Sequence, residues 1–103
     1  MATGKEYFNY VKEQLSGIDG ISFRPMMGEY IVYCNGKVIG GIYDGRFLVK
    51  KTPSSMKIIP DAPEEIPYDG AKKMLLADID NSELMSELIP AVASDLPEPK
   101  KKK

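Results

Sequence analysis

The apolar positions of the chain change period along its length. In residues 3–16, "TGKEYFNYVKEQLS", Tyr7, Phe8, Val11 and Leu15 recur at helical spacing and form one stripe. Thr3 followed by Glu6 has the spacing of a capping box, which predicts the start of this helix. Gly17 and Gly20, bracketing "GIDG", predict its stop and the turn that follows.

From residue 21 to 51 the period shortens towards two. Asn35-Gly36 and Asp44-Gly45 both tolerate positive φ, as a type I′ hairpin turn requires, and β-branched and aromatic residues flank each pair. Strands are predicted at about 29–34, 37–43 and 46–51, with a fourth over 21–25 joined through "MMG". Pro25 places that fourth strand at an edge or at a break.

Two-residue turns fix register, so the faces of the meander follow. Val32 is expected opposite Ile39, Tyr30 opposite Gly41, Tyr43 opposite Arg46 and Ile39 opposite Lys50. One face then carries Tyr30, Lys37, Tyr43, Arg46 and Lys50 among Val32, Ile39 and Leu48. The other carries Ile31, Tyr33, Val38, Ile42, Phe47 and Val49 without a charge, and is the expected core side.

Further along, "TPSSMKII" (52–59) reads as a short helix, with Thr52 as cap and Pro53 at the first helical position. "PDAPEEIPYDG" (60–70) reads as a surface loop. "KKMLLADI" (72–79) is a fifth strand, with helix as the alternative. Residues 80–96 form a closing helix with Asp80 and Glu83 at capping-box spacing and Leu84, Met85, Leu88, Ile89, Val92 and Leu96 as its stripe. Pro90 inside that stripe is expected to kink or split it near Leu88–Ile89. The pattern as a whole predicts an α+β fold. It is a two-layer sandwich, with an antiparallel meander sheet of about five strands packed on N- and C-terminal helices. Residues 1–97 are expected to make up this one domain, and 98–103 a disordered basic tail.

Composition narrows the class. The 103 residues are 43% hydrophobic, enough for a core, and no run approaches the ~20 apolar residues of a membrane helix. The single cysteine rules out an internal disulfide framework, and no secretory signal opens the chain, so a cytoplasmic location is expected. Charge is unevenly spread. Residues 1–60 carry eight Lys/Arg and five Asp/Glu, residues 61–99 carry two lysines and ten acids, and Lys100, Lys101, Lys102 and Lys103 end the chain. An acidic body of this kind is poorly suited to holding a phosphate backbone unaided.

Catalytic chemistry finds little to work with. The chain has no histidine, which removes His-based triads, His-containing zinc sites and histidine pH switches. Cys34, with Lys37 opposite, reads as a half-buried strand cysteine rather than a nucleophile. "DIDNSE" (78–83) lacks the glycine and terminal glutamate of a calcium loop, and a helix start explains its acids better. "GGIYDG" lies within a strand and its turn, not in a phosphate cradle. No cofactor and no metal are expected.

The mixed sheet face is the candidate site. Tyr30, Lys37, Tyr43, Arg46 and Lys50 suit a protein interface, with stacking of single-stranded bases as the alternative and cover by further structure as the plain reading. The Lys100 to Lys103 tail reads as solvated, with contact to an acidic partner as its functional alternative. A small-ligand role would need a pocket between the 60–70 loop and the sheet.

"RPMMGEY" (24–30), "YCNGK" (33–37) and "PYDGAKKML" (67–75), in this order and spacing, closely resemble the N-terminal domain of the TfoX/Sxy family. The resemblance covers about residues 5 to 97. It implies a two-layer domain with an antiparallel sheet, and a link to regulation of competence for DNA uptake, where the name-giving members act as transcriptional co-activators. It carries over no catalytic residues. The chain ends in "PEPKKKK" without the second, helical domain of those members, so a stand-alone N-terminal domain is expected. The reading is a non-enzymatic regulatory domain acting through protein contacts, with transcription machinery as the expected partner. Direct nucleic-acid binding is the alternative, and homodimerisation is left open.

Overall fold

The computed structural model describes residues 4–97. Within them the chain runs α1 (Lys5–Gln14), β1 (Ile21–Met26), β2 (Glu29–Cys34), β3 (Lys37–Tyr43), β4 (Arg46–Val49), α2 (Pro53–Ile58), β5 (Glu64–Glu65), β6 (Met74–Leu76) and α3 (Ser82–Asp95). The strands form one antiparallel sheet in the order β1-β2-β3-β4-β6-β5. The α+β sandwich read from the sequence is the observed architecture. The sheet is one strand larger than the five expected, because Glu64–Glu65 of the acidic loop pairs with β6.

Three two-residue turns set the meander. Asn35-Gly36 (φ 55° and 80°) and Asp44-Gly45 (52° and 71°) lie in the left-handed region that type I′ turns demand. Met27-Gly28 (52° and 86°) makes a third turn of the same sign between β1 and β2, although methionine is not a residue that favours it. Pro25 sits in β1, the edge strand, where no neighbour needs its missing N–H.

Register departs from strict alternation at one point. Tyr33 pairs with Val38 but Val32 pairs with Gly40, so Ile39 is an extra, unopposed residue in β3. Such a bulge lets Ile39 and Ile42, three residues apart, both enter the core. Its effect is to reverse the faces expected for β2 and the start of β3. Val32, Cys34 and Ile39 are buried in the helix-side core, together with Ile42, Phe47 and Val49. Ile31, Tyr33 and Val38, read from the sequence as core, are only half-buried and lie on the opposite face.

Helices cover one side of this sheet. α3 packs across β2 and β3, and α2 packs on α3. Met85, Leu88, Ile89 and Val92 of α3, Val11 of α1 and Leu15 just past its end close the core, each with at most 1% of its surface exposed. Full burial of an aliphatic side chain contributes roughly 1.5–3 kcal/mol, so this stripe is the main source of stability. At the β1 end, Phe8 of α1 stacks on Tyr30 (centroids 3.8 Å apart, planes 5° apart) and meets Phe23 edge-on at 5.3 Å. Gln14 donates from Nε2 to the Ile79 carbonyl at 2.9 Å, and the Tyr10 hydroxyl donates to Asp80, so α1 is tied to the segment that leads into α3.

Helix ends follow local chemistry. Thr52 caps α2 and Pro53 occupies its first turn, as read from the sequence, and Ser55 completes a reciprocal capping box with Thr52. α3 is capped by Asn81, whose Oδ1 accepts from the Leu84 N–H at 3.0 Å, rather than by Asp80. α1 has Gly4 at its N-cap; Thr3, the cap expected from the sequence, lies outside the described residues, as do Lys100 to Lys103. Pro90 does not end α3, which continues to Asp95. The carbonyl deprived of a partner by Pro90 belongs to Ser86, an exposed residue, so water can satisfy it.

Candidate functional site

The bulge also sorts the predicted site residues. Tyr30 lies on the helix side, stacked on Phe8. Lys37 is on that side too, its Nζ donating to the Ala93 carbonyl at 3.1 Å. A cation at those last carbonyls complements the negative end of α3, a structural use of the residue. Tyr43, Arg46 and Lys50 are on the opposite face. The five residues expected together are therefore divided two and three by the sheet.

Of the three, Arg46 is a strut. Its Nε donates to the Tyr43 carbonyl at 3.1 Å, one terminal nitrogen reaches Glu65 Oε1 at 2.6 Å and the other the Pro67 carbonyl at 3.5 Å. These bonds tie Glu65 and Pro67 to the start of β4, and Leu48 of the same strand is fully buried. A second pair, Lys51 Nζ to Glu64 Oε2 at 3.0 Å, holds the same loop. Tyr43 lays its ring over Gly41, where any Cβ would meet the ring at 2.5 Å, and its centroid lies 5.9 Å from that of Tyr68. Burial, and then the neighbouring Tyr68, pushes the Tyr43 phenol above its ordinary pKa.

Between this loop and the sheet lies an open groove of about 1040 Å³. Its location is the one a ligand pocket would need. Ile31, Val38 and Met26 line the sheet side, and Ile66, Tyr68 and Met74 the loop side. Lys50, Lys51, Lys72 and Lys73 complete the lining, which contains no carboxylate. Met26 is thereby placed at the groove, and Arg24, opposite Ile31 on the edge strand, is exposed on the same face. Met27 sits at the hairpin tip with 96% of its surface exposed.

Lys72 stands in the 67–75 motif that carries the family resemblance, but neither it nor Lys73 is among the site residues read from the sequence. The signal that could have found them is their isolation as the two cations within residues 61–99. Cys34 is remote from the groove. It is buried on the helix side, donates weakly to the Asp19 carbonyl at 3.7 Å, and burial raises its thiol pKa against the smaller opposing effect of Lys37. Among the described residues no group of three Cys, Asp or Glu side chains is placed to hold a metal, and no helix is long and apolar enough to cross a membrane.

Comparison with known proteins agrees with the sequence motifs. "Uncharacterized 12.7 kDa protein in trpE 5′region" of Spirochaeta aurantia is 31% identical over 105 residues, covering 100% of this chain and 91% of that protein. No solved structure gives a significant match. The pattern of the TfoX N-terminal domain matches residues 13–87, which span the sheet, its groove and the start of α3, and the chain belongs to that family.

Proposed function

We propose that the domain is a non-enzymatic docking module of the competence-regulator type, working in the cytoplasm through protein–protein contacts that bear on transcription. The observation that carries this reading is the one-sided packing of the sheet. Helices cover one face, while the other presents a groove with large apolar side chains left exposed, Ile66 at 48% and Tyr68 at 57%. Exposed apolar clusters rimmed by charge are characteristic of interaction surfaces. Family membership supports the regulatory context, and the lysine and tyrosine side chains at the groove offer contacts rather than a nucleophile–base pair.

Affinity capture from a native bacterial extract, with the full chain as bait, tests the proposal. The expected result is one partner recovered reproducibly and lost when Ile66 and Tyr68 are both changed to Asp. Recovery of no partner, or recovery indifferent to those changes, overturns it.

A further inference from the structure

The groove has a sign as well as a shape. Resting on the docking role just proposed, we infer that it receives an acidic amphipathic segment of a partner protein. The apolar side chains of that segment lie against Ile31, Val38 and Met74, and its carboxylates meet Lys50, Lys72 and Lys73.

Charge is the first argument. Four lysines and no carboxylate line the groove, in a body that is acidic overall outside its last four residues. Lys72 and Lys73 are the two cations in residues 61–99, where ten acids lie, and both are at this one place. Lys51 is engaged by Glu64. Lys50 and Lys72 have no ion pair among the described residues, and Lys73 acts on Glu64 only as a minor influence lowering its carboxyl pKa, after Lys51. A concentrated cationic rim on an anionic body attracts an acidic segment and orients it as it arrives.

The floor is the second argument, and it separates a peptide from a nucleic acid. Single strands bind by stacking bases on exposed aromatic faces. Of the two lining aromatics, Tyr43 is 7% exposed and covered by its neighbours, which leaves Tyr68 alone to stack. The remaining floor is aliphatic and thioether. Met26 and Met74 add flexible side chains that reshape around varied apolar partners. An apolar floor with a cationic rim complements alternating hydrophobic and acidic residues better than stacked bases.

Fluorescence anisotropy with the full chain provides the test. The probes are a short labelled peptide of Leu, Phe and Glu, its counterpart with Lys for Glu, a Ser/Glu peptide without apolar residues, and labelled oligothymidylate. The expected result is binding of the Leu/Phe/Glu peptide alone. Changing Lys72→Glu together with Lys73→Glu is expected to weaken it at least about tenfold, while Lys57→Glu on α2 leaves it unchanged. Circular dichroism checks that the double variant folds, and Lys72→Ala with Lys73→Ala is the milder second variant, expected to weaken binding in the same direction. Failure to bind the Leu/Phe/Glu peptide, binding indifferent to both double variants, or preference for oligothymidylate overturns the inference. If the extract yields a partner whose capture ignores the lysine changes, the docking role stands and this assignment falls. If it yields no partner, the docking role itself falls.

Discussion

Met27 holds a left-handed backbone (φ 52°) at a hairpin tip with 96% of its side chain exposed. A non-glycine residue there carries strain, and Asn and Gly carry least of it. Nothing in the local packing repays that strain, because the side chain is almost wholly in solvent. Met27→Asn is therefore expected to stabilise the domain by about 0.5–1 kcal/mol. Urea denaturation of the two proteins measures this, and a destabilised variant would show that the methionine side chain makes a contact that outweighs the strain. Residues of this kind also mark the limit of a sequence reading. "MMG" joins two strands plainly enough, but its turn type is hidden because methionine does not advertise positive φ as Asn35 and Asp44 do. Arg46 is a second instance. It reads as an interface cation, yet its partners Glu65 and Pro67 come from a loop whose path over β4 no local pattern specifies.

At the scale of elements, what was legible was what neighbours in sequence decide. The Asn-Gly and Asp-Gly turns, the Thr52-Pro53 helix start and the apolar stripe of α3 each depend on a few adjacent residues, and each is where the pattern put it. The bulge at Ile39 depends on both strands flanking β3, and it moves Tyr30 and Lys37 away from Tyr43, Arg46 and Lys50. Its trace in the sequence is Gly40-Gly41, since glycine inside a strand often marks a bulge or a close approach. Here a Cβ at Gly40 would fall 2.0 Å from the Leu48 carbonyl oxygen. The joint between α2 and α3 gives an element-scale prediction. The Asp95 carboxylate, at the end of α3, accepts from the Ser54 N–H at 2.7 Å, and this bond, with those of Thr52 and Ser54 side chains, holds its pKa below the ordinary value. A depressed carboxylate stabilises the fold above its unfolded-state pKa, about 3.9, and that contribution fades as pH falls through the lower folded value. Asp95→Asn is thus expected to lower the urea midpoint at neutral pH, with the gap closing in acid. A gap that persisted unchanged in acid would assign the loss to packing instead of charge.

For the molecule as a whole, the two faces of the sheet divide labour. Stability comes from the helix side, where the fully buried side chains of α1, α3 and the sheet interlock. The groove side is held by two ion pairs with partly exposed partners, Arg46–Glu65 and Lys51–Glu64, and keeps apolar surface in contact with solvent. Partly exposed ion pairs contribute at most about 1 kcal/mol each, so the exposed apolar side chains at the groove are less tied to folding than the helix-side core. The division predicts opposite outcomes for two substitutions of similar size. Leu88→Ala, in the core at 0% exposure, removes contacts that the packed surroundings cannot refill, and is expected to cost about 2–5 kcal/mol. Ile66→Ser, at the groove with 48% exposure, is expected to change folding by no more than about 0.5 kcal/mol while weakening capture of the partner. Urea denaturation and the affinity capture assay, run on the same two variants, measure both effects. Should Ile66→Ser prove as destabilising as Leu88→Ala, the residues at the groove would belong to the folding core, and the exposed apolar surface that motivates a docking role would have a structural explanation in its place.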